Sequence, residues 1–280
     1  MKKFLALSLM AIFCAATLTS CDPGVLKGWK YIETRGQISI GIDDTFTPMS
    51  FEEKDEEQNI NVTKGFDVDL ANAVCEELDI EAKFLPLRKD NKPNDLKDQR
   101  LDIIWNGIAK TEATEDKLIF TSKYYKDKMV IVSLSDDVSI KSIADLSDYK
   151  IGIPLGSAAD DIIKAHADYN SFKEKVTTYE MKSTIDPISY NLALQALKNG
   201  DVDCMIVDGI YADYYNENNN DNKFIVQEFN FGEIELELAF RNGKGEETLP
   251  EKIDEALKKV IESGKAAEIS EKWLGKNIFE

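Results

Sequence analysis

The stretch Leu194-Gln195-Ala196-Leu197-Lys198-Asn199-Gly200, followed by Asp201-Val202-Asp203-Cys204-Met205-Ile206-Val207-Asp208, decides the fold. Apolar residues at helical spacing run from Ile188 to Lys198 and stop at Asn199-Gly200, a helix end. The chain then turns at once into Val202 to Val207, a nearly continuous apolar run that reads as a strand buried on both faces. The same grammar occurs earlier, where Leu96 to Arg100 leads into the strand Leu101-Asp102-Ile103-Ile104. Two such units imply two α/β layers, and ligands in open α/β sheets sit beyond the C-terminal ends of the strands. Trp105-Asn106-Gly107 and Asp208 stand at those ends.

Outward from these units the alternation continues. Ile38 to Ile42 is a β-branched strand, Asp69 to Leu78 has helical apolar spacing, and Glu81 to Leu85 returns to strand. Met129 to Ser133 and Lys150 to Ile153 are strand-like, and Ala158 to Ala167 is a helix capped by Ser157. The expected class is α/β, with mostly parallel sheets flanked by helices. Glu52 to Asn59 and Asn216 to Asn222 read as solvated loops. Neither has the glycine-turned spacing of a calcium loop, so no metal site is expected there.

Composition narrows the function. The chain has 280 residues, a formal charge of −18, one histidine and four arginines. So acidic a chain repels phosphate backbones, and no local basic patch offsets this, which excludes nucleic acid as a partner. His166 alone cannot build a multi-histidine metal centre, and a Ser/His/Asp triad would rest on this one ring. No Gly-x-x-x-x-Gly-Lys-Ser/Thr loop is present, so any ATP hydrolysis belongs to a partner. No cofactor is expected.

The N-terminus reads as a targeting segment. Met1-Lys2-Lys3 precedes about 14 mostly apolar residues, Phe4 to Thr17, too short for a bilayer core of roughly 30 Å. Leu18-Thr19-Ser20-Cys21 resembles a bacterial lipobox, which implies removal of residues 1–20, lipidation of Cys21 and a linker over 21–27. Plain secretion is the competing reading. Loss of Lys2 and Lys3 with the leader takes the charge from −18 to −20. Acidic charge argues against adhesion to anionic lipid, leaving the N-terminal lipid as the only membrane contact. Cys75 and Cys204 then remain, and are expected to be buried free thiols.

Six blocks in order resemble the bacterial extracellular solute-binding proteins of the polar amino-acid uptake class, the substrate-binding parts of ABC importers. They are Gly41 to Phe51, Gly65 to Leu70, Trp105 to Gly107 with Lys110-Thr111-Glu112 and Phe120 to Tyr125, Ile151 to Ser157, Ala196 to Asp208, and Ile269 to Gly275. The resemblance covers nearly the whole mature region. It implies two lobes joined by two strand crossings, residues 28–127 plus 236–280 and residues 128–235, which trap a ligand by hinge closure. It further implies a monomeric, non-enzymatic protein held at the cell envelope, with a small amino-acid-like ligand and an ABC permease with its ATPase as partners.

Site residues follow from the same resemblance. Asp43 and Phe46 line the ligand side chain, the ring forming one wall, although Asp43 also reads as a turn residue. Trp105, Asn106 and Gly107 offer backbone and small polar groups to an α-ammonium; interlobe packing is the other reading of Trp105. Asp208 matches the carboxylate that pairs the ammonium, a charge-assisted contact, against the plainer reading of a helix cap. Ser157 and Ala158 open a helix whose N-terminus can hold an anion.

The pattern breaks at the carboxylate clamp. The family's arginine is Thr114 here, and a hydroxyl usually found nearby is Ala109. No arginine lies between Arg100 and Arg241. A neutral threonine supplies neither permanent charge nor a planar donor fork. Either Lys89, Arg88 or Lys110 replaces the lost cation, or the solute is not a standard α-amino acid. Two other classes compete on the same fold: a ligand-sensing or surface-interaction lipoprotein, and an exported dehydratase, which would need tuned acid/base groups.

Overall fold

The computed structural model describes residues 26–55, 57–88, 91–106, 108, 110–121, 123–179 and 190–279. Cys21 and the leader, with Lys89, Gly107 and Ala109, lie outside them.

Buried β-branched residues organise the first sheet. Its strands are β1 (Gln37–Ile42), with β2 (Thr45–Phe46), β3 (Ser50–Asp55) and β4 (Ile60–Lys64) forming a separate antiparallel meander, then β5 (Glu81–Pro86), β6 (Ile103–Ile104) and β7 (Leu118–Phe120). The second sheet uses β8 (Tyr125–Ser133), β9 (Ile151–Pro154), β10 (Val176–Tyr179), β11 (Cys204–Asp208) and β12 (Ile225–Leu236), and β13 (Ala239–Arg241) returns to the first. The strand orders are β5-β1-β6-β13-β7 and β10-β9-β11-β8-β12. In each sheet the first three strands run parallel, the fourth runs antiparallel to them and the fifth pairs antiparallel with the fourth, so the sheets are mixed.

Helices cover these sheets. They are α1 (Gly28–Arg35), α2 (Phe66–Glu77), α3 (Lys92–Lys97), α4 (Ala158–Ala165), α5 (Tyr169–Phe172), α6 (Tyr190–Asn199), α7 (Gly209–Asn218), α8 (Thr248–Glu262) and α9 (Lys265–Leu274). Alternation in β1 sends Ile38, Ile40 and Ile42 to one face, where α2 and α8 supply Leu70, Val74, Ile253 and Leu257. Each such side chain contributes roughly 1.5–3 kcal/mol on burial. Leu87, Leu96, Leu101 and Ile104 form a second cluster. A Cβ on Gly41 would sit 2.5 Å from Leu101 Cδ1 and 2.8 Å from Leu87 Cδ2, so a larger residue there would require both leucines of that cluster to shift.

The long strands β8 and β12 pair antiparallel along their length, with a register shift between Glu228 and Glu233. At their ends Tyr124 N–H donates to Leu236 O and Thr121 N–H to Leu238 O, both at 3.1 Å. The chain therefore passes between the sheets at two adjacent points. Among the described residues no helix is long and apolar enough to cross a membrane.

Several sequence expectations shift. Glu52 to Asn59 is largely a β-hairpin: β3 pairs with β4, and Asp55 Oδ1 accepts from the N–H of Glu57 and Gln58 at its turn. The Asn-rich run is not all loop, because α7 extends through Asn218, and Asn216 holds Phe224 through two side-chain hydrogen bonds. β12 lacks the clean alternation that would have announced twelve residues of strand. Cys75 and Cys204 are buried free thiols, and burial pushes both up to about 12.

Candidate ligand-binding site

Four strand ends carry the singled-out residues. Asp43 follows β1, Trp105 follows β6, Ser157 follows the turn after β9, and Asp208 closes β11. These are C-terminal ends of parallel strands, where an α/β sheet leaves its crevice.

Asp208 is fully buried, and occupies the N-cap position of α7 without making a side-chain capping bond. Asp127 of β8 does that work: its Oδ2 accepts from Ile210 N–H at 3.2 Å and its Oδ1 from Lys128 N–H at 2.8 Å. The approach is close enough that a Cβ on Gly209 would meet Asp127 Oδ1 at 2.9 Å. The plainer reading of Asp208 as a helix cap therefore fails. Its Oδ2 accepts from the Tyr190 hydroxyl, while Oδ1 has no partner among the described residues. Burial pushes the Asp208 carboxyl up to about 6, opposed by the Tyr190 bond. Asp127 is raised by burial and by the neighbouring Asp208 charge.

Asp43 is 2% exposed. Its Oδ1 accepts from the Thr45 amide at 2.9 Å and the Thr45 hydroxyl at 2.8 Å, so the turn reading of this residue holds. Oδ2 has no partner among the described residues, and burial pushes the group up to about 8 despite the Thr45 bonds. Asn106 fixes this turn. Its Oδ1 accepts from Asp43 N–H at 2.8 Å, and its amide donates to Ser50 Oγ at 2.6 Å and Asp67 Oδ2 at 2.7 Å. The Asn106 side chain thus ties β1, β3 and α2 together. Trp105 is fully buried, with Nε1 lacking a partner among the described residues, and its carbonyl accepts from the Tyr124 hydroxyl at 3.2 Å.

The Phe46 ring, expected to wall the ligand side chain, has a side chain of this protein against it. The Tyr190 ring stacks on Phe46 at 5.0 Å between centroids and 9° between planes, with Tyr211 on Tyr190 at 4.8 Å. Ser157 caps α4, accepting from Asp160 N–H at 3.2 Å and donating to Pro154 O at 2.8 Å. Asp160 takes the Gly156 N–H at 2.8 Å. Asp160 and Asp161 in the first turn of this helix are paired with Lys164 at 2.7 Å and Lys92 at 3.1 Å.

Thr114, expected at the clamp position, is folded into its own turn: its Oγ1 accepts from Thr111 N–H at 2.9 Å and bonds Thr111 O at 3.2 Å. Two of the three candidate substitute cations are described. Arg88 is half exposed and 3.5 Å from Asp95. Lys110 lies over Phe120 at 5.9 Å and lines a cavity of about 280 Å³ with Lys123, Ile162, Glu235 and Glu237. A cation that sequence reasoning missed is Lys92, whose Nζ lies 3.1 Å from Asp161 Oδ2 with only 5% of its side chain exposed. It sits in a polar run with no pattern to distinguish it. Tyr190 and Asp127 were also missed, since Tyr190 reads as an ordinary helix residue until the two lobes face each other, and Asp127 as an ordinary strand residue until β8 lies beside β11.

Two α/β lobes with buried carboxylates and aromatic rings converging at their strand ends define a two-lobed binding protein of the periplasmic type. The chain belongs to the bacterial extracellular solute-binding proteins, family 3, whose sequence pattern matches residues 38–276. It is 28% identical to the L-cystine-binding protein TcyA of Bacillus subtilis, over 99% of each chain. It is 26% identical to the arginine-binding extracellular protein ArtP of the same organism, over 98% of each. Among solved structures, the histidine-bound substrate-binding protein of an ABC uptake transporter from Streptococcus pneumoniae superposes with a TM-score of 0.76. That structure shares 30% identity and covers 89% of this chain and 97% of its own.

Proposed function

We propose that this chain captures a small amino-acid-like solute between its two lobes and delivers it to an ABC permease, as a lipid-anchored carrier rather than an enzyme. The lobes are residues 28–127 plus 236–280 and residues 128–235, hinged where β8 and β12 run side by side. Cys21, after removal of residues 1–20, is the anchor. The observation that carries the reading is Asp208: a fully buried carboxylate at a strand end, relieved of helix capping by Asp127, with one oxygen unpartnered among the described residues. A buried acid of that kind is matched to a primary ammonium. The relatives named for cystine, arginine and histidine support amino acids as the solute class.

Ligand contact with both lobes favours closure by its differential affinity for the closed state, which is the form a permease reads. Asp43 and Phe46 serve the solute side chain, with Trp105, Asn106 and Ser157 at the neighbouring strand ends. Thr114 gives no cation to a carboxylate, so recognition leans on the ammonium. Isothermal titration of refolded, ligand-stripped protein with L-cystine, L-arginine, L-histidine and L-glutamine tests the reading; heat from none of them would reject the solute class.

A further inference from the structure

Tyr190 makes, in one side chain, the two contacts that the proposed solute would make. It stands at the N-terminus of α6, a helix packed on β9, β10 and β11 of the second sheet. From there its ring crosses to Phe46 of the first lobe, stacked at 5.0 Å and 9°. Its hydroxyl donates to Asp208 Oδ2. Its backbone N–H donates to Thr45 Oγ1 at 3.3 Å, and Thr45 in turn bonds Asp43. The residue is 1% exposed, and the Tyr211 ring packs on it, tilted by 39° at 4.8 Å. A stacked ring, a donor on a buried carboxylate and an interlobe hydrogen bond are together what a bound amino acid contributes to hinge closure.

We propose that Tyr190 is an intramolecular competitor of the solute: it occupies the Phe46 face and one oxygen of Asp208, and so holds the two lobes together until a solute displaces it. This rests on the assignment of Phe46 and Asp208 to the solute site. A closed, self-occupied state lowers every apparent affinity by the fraction of molecules left competent, so a tenfold preference for it weakens all solutes about tenfold. Tyr190 as a simple pocket wall would act in the opposite direction, and differently for each solute.

The experiment compares wild type, Tyr190→Phe and Tyr190→Ala, each refolded free of ligand and checked by circular dichroism. Small-angle scattering without solute should find wild type closed and Tyr190→Ala expanded, by about 1 Å over the roughly 18 Å radius of gyration of a compact chain of this length. Equal radii for both, in folded protein, overturn the proposal whatever the solute is. Titration with L-cystine, L-arginine and L-histidine should show Tyr190→Phe binding each of them more tightly by the same factor, several-fold to about tenfold. Weaker binding, or changes of differing size between solutes, overturns it. If Tyr190→Ala does not fold, Tyr190→Phe decides, since it removes only the hydroxyl bond to Asp208. Should no amino acid bind any variant, the solute-class reading fails while the scattering comparison still decides the role of Tyr190.

Discussion

Lys92 of α3 lies 3.1 Å from Asp161 in the first turn of α4, an ion pair joining a helix of one lobe to a helix of the other. Lys92 is 5% exposed and Asp161 32%. The pair is therefore screened less by solvent than a surface bridge, although the partial exposure of Asp161 keeps its worth near the upper end of the surface range, about 1 kcal/mol. Lys92→Met should lower the melting temperature by about 2–4 °C for a chain of this size. Lys258→Met, which breaks a 3.7 Å pair with Glu262 between two exposed side chains, should leave it unchanged within error. Differential scanning fluorimetry of both variants makes the comparison.

Solute affinity should depend on pH through Asp208. An ammonium pairs with the ionised carboxylate, and burial raises this group to about 6, beside an Asp127 that is raised with it. Well above that range the charge is present and affinity is flat. Below it each solute must displace a proton, and log affinity should fall toward one unit per pH unit. Titration calorimetry between pH 4.5 and 8 reads the slope; a flat profile across that range would remove Asp208 from ammonium recognition.

Stability should follow Asp43. Its folded pKa of about 8 lies above the ordinary value near 4, so the folded chain keeps a proton that the unfolded chain has lost. That contribution is fully present below pH about 4 and is lost as pH rises through about 8. The denaturation midpoint in urea should drop from pH 5 to pH 8.5, and the drop should be shallower in Asp43→Asn, which keeps an oxygen for the Thr45 bonds.

Thr114→Arg should place a charge at the position that the sequence resemblance assigns to the carboxylate clamp. Arginine is a permanent cation with a planar fork suited to a carboxylate. A charge-assisted bond of roughly 1.5–3 kcal/mol corresponds to about 10- to 150-fold in affinity. L-Histidine and L-arginine should bind the variant more tightly than wild type by a factor in that range, whereas their methyl esters, lacking the carboxylate, should not. An equal gain for esters and acids would place the new side chain away from the solute carboxylate.

Much of this architecture was legible because it is written in local patterns. The Leu194 to Asp208 unit announces a helix, a turn and a buried strand, and β1, β5, β9, α2 and α4 each have a periodic core or a cap to mark them. Asp208 and Phe46 could be found because they stand next to such elements. What was illegible depends on pairing across the molecule. The hairpin of β3 and β4 looked like a charged loop because both faces are largely solvated. Asp127 frees Asp208 from capping only once β8 lies beside β11. Lys92 and Tyr190 gain meaning only when the two lobes face each other, a relation between residues 69 and 145 positions apart that no local spacing carries.

The account turns on Asp208 as the partner of a solute ammonium. Removing one member of a buried, hydrogen-bonded charge pair costs about 2–5 kcal/mol, or roughly 30- to several-thousand-fold in affinity. Isothermal titration of ligand-free wild type and Asp208→Asn against L-cystine, L-arginine, L-histidine and L-glutamine measures it directly. The account predicts that at least one binds wild type and that Asp208→Asn, folded by circular dichroism, loses affinity for it by that factor. Full affinity retained in Asp208→Asn would contradict it.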